Sequence, residues 1–256
     1  MDTQINTRAI DYRCPEQAFK DRIILVTGAG DGIGRAVALA LAAHGATVIL
    51  LGRTQAKLEV VYDRIKAAGG NEPALAPVNM EVARPEDYQE LAGLFDKEFG
   101  RLDGILHNAS ILGDLTPLER YGADTWDSVM RVNLNSAFYL TQAMLPLLRA
   151  SDDARLLFTS SSVGRQGRAY WGAYAASKAG VENMARVLSE ELENTSSIRV
   201  NTINPGATRT DMRALAYPGE DPMTLKTPAE IVAPYLFLLG PDSRDVNGLS
   251  LDAQPK

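Results

Sequence analysis

Tyr174 and Lys178 stand four residues apart in "RAYWGAYAASK", residues 168–178. Where the chain is helical from 172, that spacing stacks both side chains on one face, within reach of one ligand. A phenol is a poor proton carrier at neutral pH because it titrates at about 10, whereas an efficient acid or base has a pKa close to the working pH. A positive charge about 4 Å away, at an effective dielectric of about 20, is worth roughly 4 kcal/mol, or at most about three pKa units. Lys178 supplies such a charge. A tyrosine and lysine at this spacing also decorate many ordinary helices, so their surroundings decide. Upstream, Ser160-Ser161-Ser162 closes the apolar run "RLLF". Parallel α/β sheets place ligands at that carboxyl edge, where a hydroxyl can donate to a carbonyl oxygen.

A second group is "TGAGDGIG", Thr27 to Gly34, between the aliphatic run "IILV" and the apolar-periodic "RAVALALAAHG". Glycines let the backbone turn sharply and approach a pyrophosphate, and the following helix N-terminus supplies free N–H groups and a partial positive charge. The glycines fall at 28, 32 and 34 instead of in the commonest dinucleotide spacing, so a phosphate cradle and a plain strand-to-helix turn both remain open. At the end of the next apolar run, "VILLGRTQ" has Gly52 and Arg53 where an acidic residue would bind the adenine ribose hydroxyls. Arg53 offers a permanently charged fork for a 2′-phosphate, favouring NADP over NAD; its alternative is a solvated arginine starting a helix.

The elements that must carry these groups alternate along the chain. Strands are expected at 23–27, 47–51, 74–78, 103–107, 155–159, 198–203 and 248–252. Helices are expected at 32–44, 55–68, 85–99, 125–150, 172–194 and 228–239. This pattern predicts a single α/β domain over 22–256, with a doubly wound, seven-stranded parallel sheet flanked by helices on both faces. Gly45 and Gly69 suit left-handed C-caps, Pro85 a first helical turn, and Thr227 to Glu230 a capping box. Residues 1–21 read as an N-terminal arm. Residues 205–226 form the longest aperiodic stretch, of which 207–226 is expected to be a substrate loop.

Of the 256 residues 45% are apolar and 23% charged, an ordinary globular balance. A net charge of -6 and a pI near 5.1 oppose binding to nucleic acid or anionic membranes. No apolar run approaches the roughly 20 residues of a membrane span. Cys14 is the sole cysteine, and no metal-ligand spacing is present. These features fit a cytoplasmic protein without a metal. His44 reads as a helix C-terminal residue, His107 as the end of a buried strand, and "SEELEN" as a solvated helix face.

Together, T-G-x-x-x-G-I-G after the first strand, Y-x-x-x-K at 174–178 and Pro205-Gly206 after the sixth strand resemble the short-chain dehydrogenase/reductase family over about residues 22 to 252. "LHNA", "FTSSSVGRQGRA", "WGAYAASK" and "DAQPK" resemble a bacterial oxidoreductase branch of it. The resemblance implies a Rossmann fold and hydride transfer between NADP(H), with NAD(H) as an alternative, and a carbonyl or secondary alcohol. It selects Ser161, thirteen residues before Tyr174 and three before Gly164, over its neighbours, and adds Asn133 of "VNL" to a catalytic set with Tyr174 and Lys178. Lys178, helped by an oxidised nicotinamide, would then bring Tyr174 close to 7, while Ser161 polarises the oxygen.

For the cofactor the resemblance implies Gly28, Asp31, Gly32, Ile33, Gly34, Arg53, Asn79, Met80, Asn108, Ala109, Tyr174, Lys178, Pro205, Gly206, Thr208 and Thr210. Three positions depart from the family's pattern: Asp31 where NADP-preferring relatives often carry a basic residue, Asn79 in place of Asp, and "HNAS" with Ser110 in place of Gly. The substrate, a small or medium organic carbonyl or alcohol, is expected to meet Ser161, Gln166, Tyr170, Trp171 and Tyr174, along with Ile111, Leu112, Met212 and Tyr217. Tyr170 and Trp171 serve equally well as packing, and Arg209 and Arg213 as surface charges or anion contacts. Relatives associate into dimers or tetramers, so a homo-oligomer is expected. A cofactor-binding sensor or scaffold without catalysis is the competing reading; the complete Asn133, Ser161, Tyr174, Lys178 set argues against it.

Overall fold

A computed structural model describes residues 2–254; Met1, Pro255 and Lys256 lie outside the described residues, and with them the ends of the expected arm 1–21, of the domain 22–256 and of "DAQPK". The aliphatic runs become strands: β1 Ile23–Thr27, β2 Thr47–Gly52, β3 Ala74–Pro77, β4 Gly104–His107, β5 Arg155–Thr159, β6 Arg199–Asn204 and β7 Ser250–Asp252. The helices are α1 Asp2–Ile10, α2 Gly32–Ala43, α3 Gln55–Ala67, α4 Pro85–Phe99, α5 Ala123–Met130, α6 Ser136–Arg149, α7 Ser162–Arg165, α8 Gly172–Glu193, α9 Asp211–Ala216 and α10 Val232–Leu239.

The strands form one parallel sheet in the order β3-β2-β1-β4-β5-β6-β7. Leu25 of β1 lies between Ile49 of β2 and Ile105 of β4. Successive strand residues point to opposite faces. Ile24 and Val26 therefore pack with Val37 and Leu41 of α2 and Tyr235 and Phe237 of α10, while Leu25 and Ile105 pack with Leu140 and Met144 of α6 and Val181 of α8. Burial on both faces explains why β1, β2, β4 and β5 read as nearly unbroken apolar runs. The strand order reverses between β1 and β4, and the crevice at their carboxyl ends is where such sheets bind ligands.

Expected caps recur: Gly45 and Gly69 adopt positive φ, Pro85 opens α4, and the Thr227 N–H donates to Glu230 at 2.7 Å. The structure departs from the sequence pattern in four places. The helix expected over 125–150 is interrupted by a π-helical turn at Arg131–Asn135, which separates α5 from α6. The helix expected from 228 begins as a 3-10 turn, Pro228–Ile231. Within the arm, α1 packs on the C-terminal helix: Ala9 is buried, the Arg8 guanidinium lies 4.9 Å from the Phe237 ring, and Tyr12 donates to Asp242 at 2.9 Å. The stretch 205–226 holds α9 and a 3-10 turn, Pro222–Thr224. No helix among the described residues is long and apolar enough to cross a membrane.

Candidate active site

Ser161, Tyr174, Lys178 and Asn133 converge beyond the carboxyl ends of β4 and β5. Ser161 is the N-cap residue of the one-turn helix α7. That turn lies flat on α8 because residue 164 has no side chain: a Cβ there would fall 2.7 Å from Lys178 Cβ and 2.8 Å from its carbonyl carbon. Tyr174 and Lys178, one turn apart on α8, are 8% and 2% exposed. Lys178 Nζ donates to the Thr159 carbonyl at the end of β5, 2.8 Å away, and stands 5.7 Å from the centre of the Tyr174 ring.

Asn133 sits in the π-helical turn, a widening that recurs at functional sites. Its Oδ1 accepts from the Ile111 N–H at 2.8 Å, and its Nδ2 donates to the Ile111 carbonyl at 2.9 Å and to Ser177 Oγ at 3.0 Å. The amide thus clamps the loop after β4 to α8. A small cavity lined by Thr27, His107, Asn133, Thr159 and Lys178 joins this clamp to the lysine. It is polar and about the size of one water molecule.

Burial dominates the electrostatics. It pushes the Tyr174 phenol up to about 12, against the opposing pull of the Ser161 and Ser110 hydroxyls. It pushes Lys178 down to about 8, against the attraction of Glu182. The expectation of a tyrosine near 7 included the charge of an oxidised nicotinamide; the chain's own groups leave the phenol above its ordinary value, with the ammonium held at the Thr159 carbonyl. Burial also drives His107 down to about 3. Its neutral ring stacks on Phe158 at 4.6 Å and bonds Thr141 at 2.9 Å, so it is a core histidine.

The glycine loop fits a pyrophosphate. Gly28 has φ +66°, and a Cβ there would lie 3.1 Å from the Ala109 Cα. A Cβ at Gly34 would lie 2.2 Å from the Gly28 carbonyl oxygen. Only a bare backbone turns this tightly into α2, whose first N–H, that of Gly32, donates to Asp31 while those that follow have no partner within the helix. Ile33 is partly buried against the core. The N–H groups of Asn108 and Ala109 both donate to Thr27 Oγ1, which fixes "HNAS" beside the loop. Thr210, the N-cap residue of α9, approaches Gly32 from the opposite side.

At the end of β2, Arg53 is two-thirds exposed and its guanidinium is 3.8 Å from Glu81. Asp31 caps α2 and is paired with Lys57 at 2.5 Å and Arg35 at 3.7 Å. The Lys57 hydrogen bond holds its carboxyl below the usual range. Asn79 Oδ1 accepts from the Glu81 N–H, and Met80 is buried against Ser136.

The strip Pro205-Gly206-Ala207-Thr208 is held by Gln254, whose Nε2 donates to the Pro205 carbonyl at 2.8 Å, the Ala207 carbonyl at 3.0 Å and Thr208 Oγ1 at 3.2 Å. Trp171 lies 5.8 Å from both the Tyr174 and Tyr217 rings, which brings the 207–226 loop beside Tyr174. Tyr170 is 60% exposed with φ +73°, and Gln166 is exposed. Arg213 lies 3.7 Å from the Tyr217 ring and pairs with Glu220, while Arg209 bonds the carbonyls of Pro222 and Leu225. Both arginines hold the loop together, so neither is a free anion contact.

Sequence reasoning missed Lys57, Gln254 and the effect of Ser110 on Tyr174. Ser110 Oγ is buried near enough to the Tyr174 phenol to draw its pKa down, though short of a formed hydrogen bond, and its backbone does not need glycine because its φ is not positive. The departure from the family's glycine at this position was the available signal. Among the described residues no cluster of His, Cys, Asp or Glu is placed to hold a metal.

The profile of the short chain dehydrogenase family matches residues 22–221. The uncharacterized oxidoreductase YciK of Escherichia coli (strain K12) is 52% identical over 244 residues, covering 95% of this chain and 96% of the relative. Cyclohexanol dehydrogenase of Acinetobacter sp. (strain SE19) is 31% identical over 235 residues, covering 90% and 92%. A crystal structure from Escherichia coli CFT073, complexed with NADPH, superposes with a TM-score of 0.91 at 53% identity, covering 94% of this chain and 100% of that one.

Proposed function

This chain belongs to the short-chain dehydrogenase family, and on that premise we propose that it is an NADP(H)-dependent oxidoreductase for a secondary alcohol or its carbonyl, with Tyr174 as general acid and base. The observation that carries the reading is the buried Tyr174 phenol, flanked by Ser161 and standing over Lys178, beside a glycine loop that no larger residue could form. The NADPH complex of a 53% identical protein supports the choice of cofactor.

The backbone N–H groups at Ile33 and Gly34 are placed to hold the pyrophosphate, with Gly28, Asp31 and Gly32 shaping the loop around them. Arg53 would hold the 2′-phosphate; Asn79 and Met80 border the adenine; Asn108, Ala109, Pro205, Gly206, Thr208 and Thr210 line the nicotinamide end, with Tyr174 and Lys178 at the ribose. When bound, the cofactor supplies or accepts the hydride. Ser161 Oγ donates a hydrogen bond to the substrate oxygen and orients it toward Tyr174. In reduction the Tyr174 hydroxyl gives its proton to that oxygen, and in oxidation the phenolate takes it. Lys178 favours the phenolate through its charge. Asn133 fixes the loop and the cavity beside the lysine, while Gln166, Tyr170, Trp171 and Tyr217 border the opening.

Exposed Phe138 on α6 and Val187 on α8 support a homodimer or homotetramer built through the long helices; light scattering of the purified protein would test it. A cytoplasmic setting agrees with the single, unpaired Cys14. For activity, the protein is mixed with NADPH and a panel of ketones, aldehydes and quinones while the absorbance of the reduced nicotinamide is followed. Turnover with at least one carbonyl, lost in Tyr174→Phe, is expected. Turnover that survives this substitution unchanged would overturn the assignment.

A further inference from the structure

We propose that Lys57 is a specificity-determining residue: by neutralising Asp31 it lets the glycine loop accept the 2′-phosphate of NADP(H) despite a carboxylate at its mouth. The inference rests on the NADP(H) reading above and concerns how this chain achieves it.

Asp31 lies between Gly30 and Gly32. Its Oδ1 accepts the Gly32 N–H at 2.8 Å, which ties the carboxylate to the start of α2. A bare carboxylate there repels a phosphate at the adenosine corner, as acidic residues do in NAD-selective sites. This one is not bare. Lys57 Nζ is 2.5 Å from Oδ2, and the Arg35 guanidinium is 3.7 Å from Oδ1.

The approach of Lys57 is built into the backbone. Its Cβ would stand only 3.0 Å from a Cβ at Gly30, so the missing side chain at 30 seats the first turn of α3 against the loop. Around Asp31 two cations, Arg35 and Lys57, face one carboxylate, and the Arg53–Glu81 pair stands at the neighbouring end of β2, which the Ala29 N–H joins to the glycine loop through the Leu51 carbonyl. With Lys57 present the balance is positive, and without it the charges cancel.

A pair this exposed adds little to stability. Its consequence is electrostatic complementarity toward an incoming anion, which acts on selectivity. Asp31 meanwhile keeps its structural duty, since an N-cap carboxylate satisfies an otherwise free helix N–H. The chain thus retains an acidic N-cap and cancels its charge from the neighbouring helix.

The test is calorimetric titration of the full-length protein with adenosine 2′,5′-bisphosphate and with 5′-AMP, for the unaltered chain, Lys57→Ala, Asp31→Asn and the double variant. Asparagine is as good an N-cap as aspartate, so Asp31→Asn removes charge while keeping the cap. Lys57→Ala is expected to weaken bisphosphate binding about tenfold relative to 5′-AMP. Adding Asp31→Asn is expected to restore the selectivity to within about threefold of the unaltered chain. Arg53→Ala, a direct phosphate contact, is expected to lose affinity that Asp31→Asn does not restore to this extent. Unchanged selectivity in Lys57→Ala, or a loss that Asp31→Asn fails to rescue, overturns the proposal while leaving the NADP(H) reading intact. An unaltered chain that binds the bisphosphate no better than 5′-AMP overturns that reading, and this inference with it. Thermal melting of each variant confirms that the titrated protein is folded.

Discussion

Gly164 and Lys178 are in contact through a missing side chain: a Cβ at 164 would lie 2.7 Å from the Lys178 Cβ, and the turn that carries Ser161 rests on the helix that carries Tyr174 at this point. Serine and tyrosine are therefore positioned by one close backbone approach. Gly164→Ala must push α7 away from α8. Displacing a catalytic group by about 1 Å can cost about a hundredfold in rate, so kcat/KM should fall by that order. Overpacking of this kind also costs roughly 1–3 kcal/mol of stability. NADPH affinity, which the glycine loop dominates, should change little. Steady-state kinetics with parallel cofactor titration would reveal this split; a variant with unaltered kcat/KM would show that the turn tolerates the shift.

Lys178 is stabilising for chemistry and destabilising for the fold. Its folded pKa of about 8 lies below its ordinary 10.5. Below pH 8 both folded and unfolded chains carry the charge, and the folded one bears the whole cost of burying it. Between pH 8 and 10.5 the unfolded lysine binds a proton that the folded one has released, so stability from this group rises with pH. Lys178→Met should be inactive yet more stable at pH 7, by at most about 3 kcal/mol less the lost bond to Thr159. The gain should shrink as pH rises through that window. Denaturant melts at pH 7 and pH 10 would expose a variant whose stability difference does not move.

Ser110 and Ser161 both draw the Tyr174 phenol downward from the value that burial imposes. Removing the Ser110 hydroxyl should therefore raise the tyrosine pKa further. Alcohol oxidation needs the phenolate, so the rising limb of its pH profile should move to higher pH in Ser110→Ala, and the rate at neutral pH should drop. Ser110→Gly, which restores the residue common in the family, should shift it in the same direction. A limb displaced toward lower pH in either variant would contradict the role of the hydroxyl.

The alternation of apolar runs and amphipathic stretches made the seven strands and their parallel arrangement legible, because a doubly covered sheet leaves its mark in the central strands. The juxtaposition of Tyr174 and Lys178 was legible for a similar reason: residues four apart on a helix share a face. The π-helical turn at Asn133 was not, since the two bonds of that amide that accompany it go to Ile111, 22 residues away in sequence. Helix α1 was hidden because its partner, α10, lies at the other end of the chain. Lys57 and Gln254 escaped because their partners, Asp31 and the strip after β6, come near only once the sheet has formed.

Gln254 offers the sharpest check on that long-range organisation. One side-chain amide spans Pro205, Ala207 and Thr208 with three bonds, and Gly206 between them has φ +72° with its Cα facing the glutamine stem. Each such bond contributes about 1 kcal/mol net, and a buried carbonyl left unpaired costs more. Gln254→Ala should free the strip that borders the nicotinamide end, weakening NADPH binding about tenfold while the thermal midpoint falls by only a few degrees. Gln254→Glu should do worse than alanine, because a carboxylate cannot donate to the two carbonyls and repels both. Fluorescence titration with NADPH orders the three proteins; equal affinity in all of them would place the strip's support elsewhere in the fold.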